Sequence, residues 1–180
     1  VGLGEVENDS VLRDLTLRSP LRLAGYRYAH HEGPDRRGID CALLYQPRLF
    51  RLTGSRAVRV PSHEHGMRPT RDLLHCQGVL PGGDTLHVIC VHLPSRAGGT
   101  RQTARHRMLA ATTLCMLLDS LRGKDVLVMG DFNAGAGDPI FAPIGRRLVS
   151  LTPGGRKEKR KPQGTYCYQG HWDYIDHVLI

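Results

Sequence analysis

The sequence has no CxxC pair, and its five cysteines (Cys41, Cys76, Cys90, Cys115 and Cys167) are an odd number. That pattern gives neither a complete disulfide framework nor a zinc site built from paired thiolates. Cys41, Cys90 and Cys115 fall inside apolar runs and read as buried small hydrophobes. No apolar run approaches the roughly 18 residues of a membrane-spanning helix. No stretch reads as a secretory leader. There is no internal repeat and no glycine-rich phosphate-binding loop; Gly98-Gly99 reads as a turn.

What is present suits one globular domain. The chain has 180 residues, with 40% hydrophobic and 23% charged side chains, enough to bury a real core. Lys and Arg number 25 against 17 Asp and Glu, a formal charge of +8. Such a balance permits a polyanionic partner, nucleic acid or an anionic lipid surface. Part of the excess lies in one run, Arg156-Lys157-Glu158-Lys159-Arg160-Lys161, which reads as a solvated loop. The surrounding Pro153–Gly164 stretch is expected to be a mobile loop.

The patterning alternates short strands with two helices. Val1–Val6 reads as the tail of a strand, followed by Asn8, Asp9 and Ser10 as caps for a helix over Val11–Arg18. Strands are expected at Gly25–His30, Ile39–Tyr45 and Arg51–Val60, and Ser62–Arg71 is expected as a loop. Leu73–Leu80 and Leu86–Leu93 flank Pro81-Gly82-Gly83-Asp84, a hairpin signal. Thr100–Leu121 keeps Met108, Ala111, Thr112, Cys115, Leu118 and Leu121 at helical spacing. Lys124–Met129 reads as a buried strand, Pro139–Val149 as mixed, and Tyr166–Tyr168 and Tyr174–Ile180 as further strands. Many strands with two clear helices point to an α+β or α/β sandwich.

Four segments share one shape, an apolar strand that ends in polar residues: Gly2-Leu3-Gly4-Glu5-Val6, Val88-Ile89-Cys90-Val91-His92, Leu127-Val128-Met129-Gly130-Asp131-Phe132-Asn133, and Tyr174-Ile175-Asp176-His177. Strand ends that meet at one sheet edge can build a site. Each residue alone has a plainer reading: Glu5 as a surface carboxylate, His92 as a hydrogen-bonded core imidazole, Asp131 and Asn133 as turn formers, Asp176 as an edge charge. The four together are harder to reduce to structure. Arg96 and Arg107 follow the His92 strand and suit bidentate contact with phosphate. Arg101 and Arg105 read as a solvated helix face, and His63-Glu64-His65 as an exposed loop.

Gly130-Asp131-Phe132-Asn133 resembles the signature of the endonuclease/exonuclease/phosphatase superfamily, which includes deoxyribonuclease I-like nucleases, abasic-site endonucleases, inositol polyphosphate phosphatases and sphingomyelinases. Gly2-Leu3-Gly4-Glu5-Val6 resembles its first metal-ligand motif. Val91-His92-Leu93-Pro94-Ser95-Arg96 resembles its strand-end His-Leu motif, and Trp172-Asp173-Tyr174-Ile175-Asp176-His177-Val178 its late Ile-Asp strand. Arg37-Gly38-Ile39-Asp40 fits its second strand region. The motifs keep the family's order across nearly the whole chain.

The resemblance implies a four-layer α/β sandwich, two packed mixed β-sheets flanked by helices. It implies metal-dependent phosphodiester hydrolysis, with a nuclease favoured. A non-catalytic nucleic-acid or phosphate-binding domain is the alternative, as is a phosphatase or phospholipid phosphodiesterase of the same superfamily. By the resemblance Glu5 would bind Mg²⁺, with Mn²⁺ as a substitute. Asp131 would orient or deprotonate the attacking water. Asn133 would donate to the phosphoryl oxygen, and His92 would contact the scissile phosphate. Asp40 would pair with His92, and Asp176 would orient a second histidine from a Ser-Asp-His-like segment. That segment and the family's first strand are not within residues 1–180. His177 is expected to point away from Asp176 on its strand, and His171 to lie in a loop. Nucleic acid is the favoured partner, phosphoinositide or phospholipid the alternative, and a monomer is expected.

Overall fold

The computed structural model describes residues 1–97, 99–152 and 164–180. The expected mobile loop lies, apart from Gly164, outside the described residues.

Two sheets carry the architecture. The first contains β1 (Gly2–Val6), β2 (Arg27–His30) and β3 (Asp40–Tyr45) in the order β1-β3-β2, all antiparallel. The second contains β4 (Arg51–Val58), β5 (Leu73–Val79), β6 (Thr85–His92), β7 (Asp125–Asp131) and β10 (Asp176–Leu179) in the order β10-β7-β6-β5-β4. Among the described residues only β6 and β7 run parallel, and the long helix α2 (Thr100–Ser120) lies in their connection, as a parallel pair requires. Helix α1 (Asp9–Leu17) follows β1, and the single-turn α3 (Phe141–Ile144) follows β7. A small ribbon, β8 (Tyr166–Tyr168) with β9 (His171–Asp173), precedes β10.

Three buried clusters separate these elements into four layers. Val6, Leu12, Ala42 and Leu44 fill the space between α1 and the first sheet. Cys41 and Leu43 meet Leu74, Cys76, Val88 and Cys90 between the two sheets. Ile89, Val91 and Val128 pack under Ala111, Leu114 and Leu118 of α2 on the far side. Strand alternation explains the division: Ala42 and Leu44 face one way from β3, Cys41 and Leu43 the other. The order of layers is therefore helix, sheet, sheet, helix, as the family resemblance implied.

Local signals account for most boundaries. The Asn8 side chain caps α1 by accepting from the Ser10 and Val11 backbone N–H groups at 2.9 and 3.2 Å. In α2 the buried stripe is Ala110, Ala111, Leu114, Cys115, Leu117 and Leu118, while Thr112 is exposed. His63, Glu64 and His65 are exposed, as expected, on a short 3-10 turn. All five cysteines are free, with Cys76 buried beside the three expected and Cys167 exposed. Among the described residues no helix is long and apolar enough to cross a membrane.

Candidate active site

Strand register places three of the expected residues in one row. His92 on β6 is the partner of Asp131 on β7, and Asp131 is the partner of Asp176 on β10. Direct cross-strand partners share a sheet face. Val88 and Cys90 face the space between the sheets, so alternation turns His92, and with it the row, to that side. There it meets β1 of the first sheet: a Cβ on Gly4 would lie 3.4 Å from His92 Nδ1. Glu5 follows on a bulge, since β1 takes three residues from Leu3 to Val6 while β3 takes two from Ala42 to Asp40. Bulges re-aim side chains at sheet edges. Glu5 is exposed, and its backbone holds φ +58°.

The Asp131 turn is built for close approach. Gly130 has φ +139°, and any Cβ there would collide with the Val91 carbonyl oxygen of the neighbouring strand. Phe132 is fully buried and anchors the turn through its N–H to Ile175 O at 2.8 Å. Asn133 adopts φ +49°, a left-handed conformation that asparagine tolerates better than most residues. Its backbone N–H donates to Asp131 Oδ1 at 2.6 Å. Its Nδ2 donates to Leu93 O at 2.9 Å and to Asp131 Oδ2 at 3.2 Å. Both amide hydrogens are thus directed into the protein, whereas the resemblance implied a donor to a phosphoryl oxygen. Arg96 completes the turn, its Nε donating to Asn133 O at 2.8 Å and its Nη1 to Asp173 Oδ2 at 3.2 Å on β9.

Burial pushes the Asp131 carboxyl up to about 6. The Asn133 N–H opposes this, the like charges of Asp176 and Glu5 add to it, and Arg96 opposes it. A carboxylate poised near neutrality suits proton transfer. His92 is pushed the other way, to about 4, by burial and then by the charge of Arg37, against the opposing charge of Asp35. Its imidazole is neutral at physiological pH. Nε2 lies 3.7 Å from Asp131 Oδ2, and Nδ1 has no hydrogen-bond partner among the described residues.

Two further expected site residues, Asp40 and Arg107, need correction. Asp40 does not pair with His92. It shares the face of β3 that carries Ala42 and Leu44 toward α1, so strand alternation directs it away from the imidazole. It accepts from the Gly33 N–H at 3.1 Å and lies 3.9 Å from His30 Nε2, whose Nδ1 meets Asp9 at 2.9 Å. Arg107 does not present itself to a ligand. It is fully buried, and its Nη1 donates to Thr103 Oγ1 at 2.7 Å and to Ser95 O at 3.4 Å, supporting the segment that leads from β6 into α2.

His177 points away from Asp176, as expected. It is buried against Phe132 and Phe141, and its Nε2–H donates to Ala134 O at 2.8 Å. His171 is exposed and belongs to β9 rather than to a loop. Arg101 and Arg105 are exposed on α2.

Sequence reasoning missed Asp173 and a buried guanidinium, Arg71. Arg71 is 2% exposed and donates to His92 O at 2.9 Å, Leu93 O at 2.7 Å and Asp35 Oδ2 at 2.8 Å. Its partners lie 21 to 36 residues away, so only the fold brings them together. The one available signal was a charged pair, Arg71-Asp72, directly before an apolar strand. A cavity of about 940 Å³ lies elsewhere, between Leu86, Leu118, Val126 and Leu148 near the opposite ends of β6 and β7.

Among the described residues no three His, Cys, Asp or Glu side chains form a group that could hold a metal ion. The donor chemistry still fits Mg²⁺, a hard ion often held by one or two carboxylates and several waters. Glu5, Asp131 and Asp176 are oxygen donors whose mutual charge is already felt at Asp131.

Two packed sheets between helical layers, with acids at converging strand ends, define a deoxyribonuclease I-like fold. The sequence matches the model of the Endonuclease/Exonuclease/phosphatase family over residues 1–180. The chain belongs to that family. Its fold is similar to the human Nocturnin catalytic domain with bound sulfate anion, at TM-score 0.75 and 18% identity over 99% of this chain and 67% of that one. It is similar to ANGEL2, a 2′,3′-cyclic phosphatase, at TM-score 0.75 and 15% identity over 99% of this chain and 68% of that one. It is also similar to humanized D. rerio TDP2, at TM-score 0.63 and 19% identity over 99% of this chain and 66% of that one. The comparison with curated proteins found no match.

Proposed function

We propose that this chain carries the reacting centre of a phosphoester hydrolase. The supporting observation is the row His92–Asp131–Asp176 across three strands, with the central carboxyl pushed up to about 6 by burial. Asp131 accepts the proton of a water whose oxygen attacks phosphorus, while the leaving oxygen departs and takes a proton from solvent. His92, neutral and close to Asp131, offers a hydrogen-bonding edge without adding charge. Mg²⁺ held through Glu5 would neutralise phosphate charge and polarise the ester bond. The family includes both nucleases and phosphatases, so a phosphomonoester belongs within this reading beside a phosphodiester. The +8 balance favours a nucleic-acid substrate among these.

A second reading is a binding domain that holds a phosphate without cutting it. It is favoured by Asn133, whose amide hydrogens are both directed to protein acceptors.

One experiment separates the two. Turnover of bis(p-nitrophenyl) phosphate, p-nitrophenyl phosphate and a labelled oligonucleotide is followed with Mg²⁺ or Mn²⁺ and with chelator. A hydrolase loses turnover in chelator, and Asp131→Asn lowers it by about 10²–10⁴-fold with the fold intact. Absence of turnover on all three substrates with either metal would favour the binding domain.

A further inference from the structure

The candidate site is rich in negative charge. Glu5, Asp131 and Asp176 bring three carboxylates, and the Arg96 guanidinium is engaged with Asp173 and the Asn133 carbonyl. A phosphoester is itself an anion, so its binding calls for protein cations as well as a metal. One further guanidinium reaches this region, and a buried relay carries it there.

The relay starts at the end of β6. Arg71 grips the His92 and Leu93 carbonyls with Nε and Nη2, and its Nη1 donates to Asp35 Oδ2 at 2.8 Å. Asp35 is nearly buried, its side chain 8% exposed. The same carboxylate accepts from Arg37: backbone N at 3.0 Å, Nε at 3.2 Å and Nη2 at 3.0 Å. One carboxylate between two guanidiniums leaves a net positive charge, and the exposed share of it sits on Arg37, whose side chain is 53% exposed. Arg37 Nη1 has no protein acceptor among the described residues. The relay is tied to the site strand itself, since Arg71 bonds the backbone carbonyl of His92, and the charge of Arg37 is felt at that residue's imidazole.

We propose that Arg37, positioned by the buried Asp35–Arg71 pair, forms an anion subsite that takes a phosphate oxygen of the substrate. This deepens the hydrolase reading and rests on it for the word substrate. A guanidinium fits because its planar fork can bond Asp35 along one edge and present another to an oxyanion. Holding that fork in place before binding removes part of the ordering entropy that a free arginine loses. Arg37 contacts the ligand; Asp35 and Arg71 act through it and are positioning residues.

The test uses inorganic phosphate as probe, titrated calorimetrically into the full chain with Mg²⁺ and with chelator, together with KM and kcat on bis(p-nitrophenyl) phosphate. Arg37→Gln is expected to weaken phosphate binding by about 10-fold or more, the range of one charge-assisted bond. KM rises in parallel, kcat stays within about twofold, and the melting point barely moves, since the removed interactions are exposed. Arg37→Lys recovers part of the affinity, because charge remains without the fork. Arg71→Lys weakens phosphate binding while Arg37 is present and adds little on top of Arg37→Gln, as coupled residues do. Unchanged phosphate affinity in a folded Arg37→Gln protein overturns the subsite, as does absence of phosphate binding by the unmodified chain. Additive effects of the two substitutions overturn the relay. Loss of phosphate affinity in Arg37→Gln without turnover of any phosphoester by the unmodified chain keeps the subsite and removes the hydrolase reading instead.

Discussion

Glu5 on β1 of the first sheet and Asn133, two residues past the end of β7 in the second, both hold a left-handed backbone, at φ +58° and +49°. Such conformations are rare outside glycine, and they gather where function requires an unusual aim. For Glu5 the strain accompanies the bulge that displaces it from regular pairing with β3. Replacing it by glycine removes the steric penalty. Glu5→Gly is therefore expected to raise stability by up to about 1 kcal/mol and Tm by about 2–4 °C, while abolishing Mg²⁺-dependent turnover. Thermal unfolding followed beside activity checks both halves. A fall in stability would show that the bulge is not strained.

Gly130 shows the opposite constraint. It precedes Asp131 with φ +139°, and a Cβ there would strike the Val91 carbonyl oxygen. The clash is with backbone in a parallel pair, which cannot rotate aside as a side chain can. Gly130→Ala is expected to lose about 3 kcal/mol or more. Urea unfolding reads this as a lower midpoint with an unchanged slope.

Much of this was legible in the chain itself. Helices α1 and α2, the β5–β6 hairpin and the strand-end acids follow from periodicity, turn residues and polar punctuation, whereas α3 lies in a stretch that read as mixed. The row His92–Asp131–Asp176 joins three segments that the sequence marked separately; register alone aligned them. Asp40 and Arg107 went astray for physical reasons. A motif gives the position of a carboxylate along a strand, but its face depends on which neighbours sit above and below. An arginine after a site strand reads the same whether it reaches solvent or turns beneath the loop. The role of Arg71 could not be read from its charged pair with Asp72, because its acceptors are two backbone carbonyls and an acid 36 residues away.

The corrected placement of Arg107 has a measurable consequence. A fully buried guanidinium that bonds Thr103 and the Ser95 carbonyl braces the start of α2. Arg107→Ala removes its packing and its hydrogen bonds together. Stability is expected to fall by about 2–4 kcal/mol, while KM for a phosphoester, measured below the lowered melting point, stays within about twofold. A tenfold rise in KM without loss of stability would restore the substrate-binding role that the sequence suggested.

The second sheet also carries a pair of neutral imidazoles away from the site. His75 on β5 and His87 on β6 are buried, with rings stacked at 5.2 Å and His75 Nε2 lying 2.9 Å from His87 Nδ1. Arg56 Nε donates to His75 Nδ1 at 3.3 Å. His75 therefore carries its proton on Nε2 and donates it to His87, which carries its own on Nε2. Burial, then His87 and Arg56, push His75 down to about 4; burial, then Lys124, lower His87 as well. In the unfolded chain both titrate near the ordinary value of about 6.5. Below that pH the unfolded state binds protons that the folded state refuses, so the pair's contribution to stability is present above about 6.5 and is lost as pH falls toward 4. Each imidazole contributes a slope of at most about 1.4 kcal/mol per pH unit in that window. Urea midpoints at pH 7.5 and 5 are expected to differ more for the unmodified chain than for His75→Gln, His87→Gln combined. Equal differences would mean that the pair is not neutral in the folded protein or does not titrate in the unfolded one.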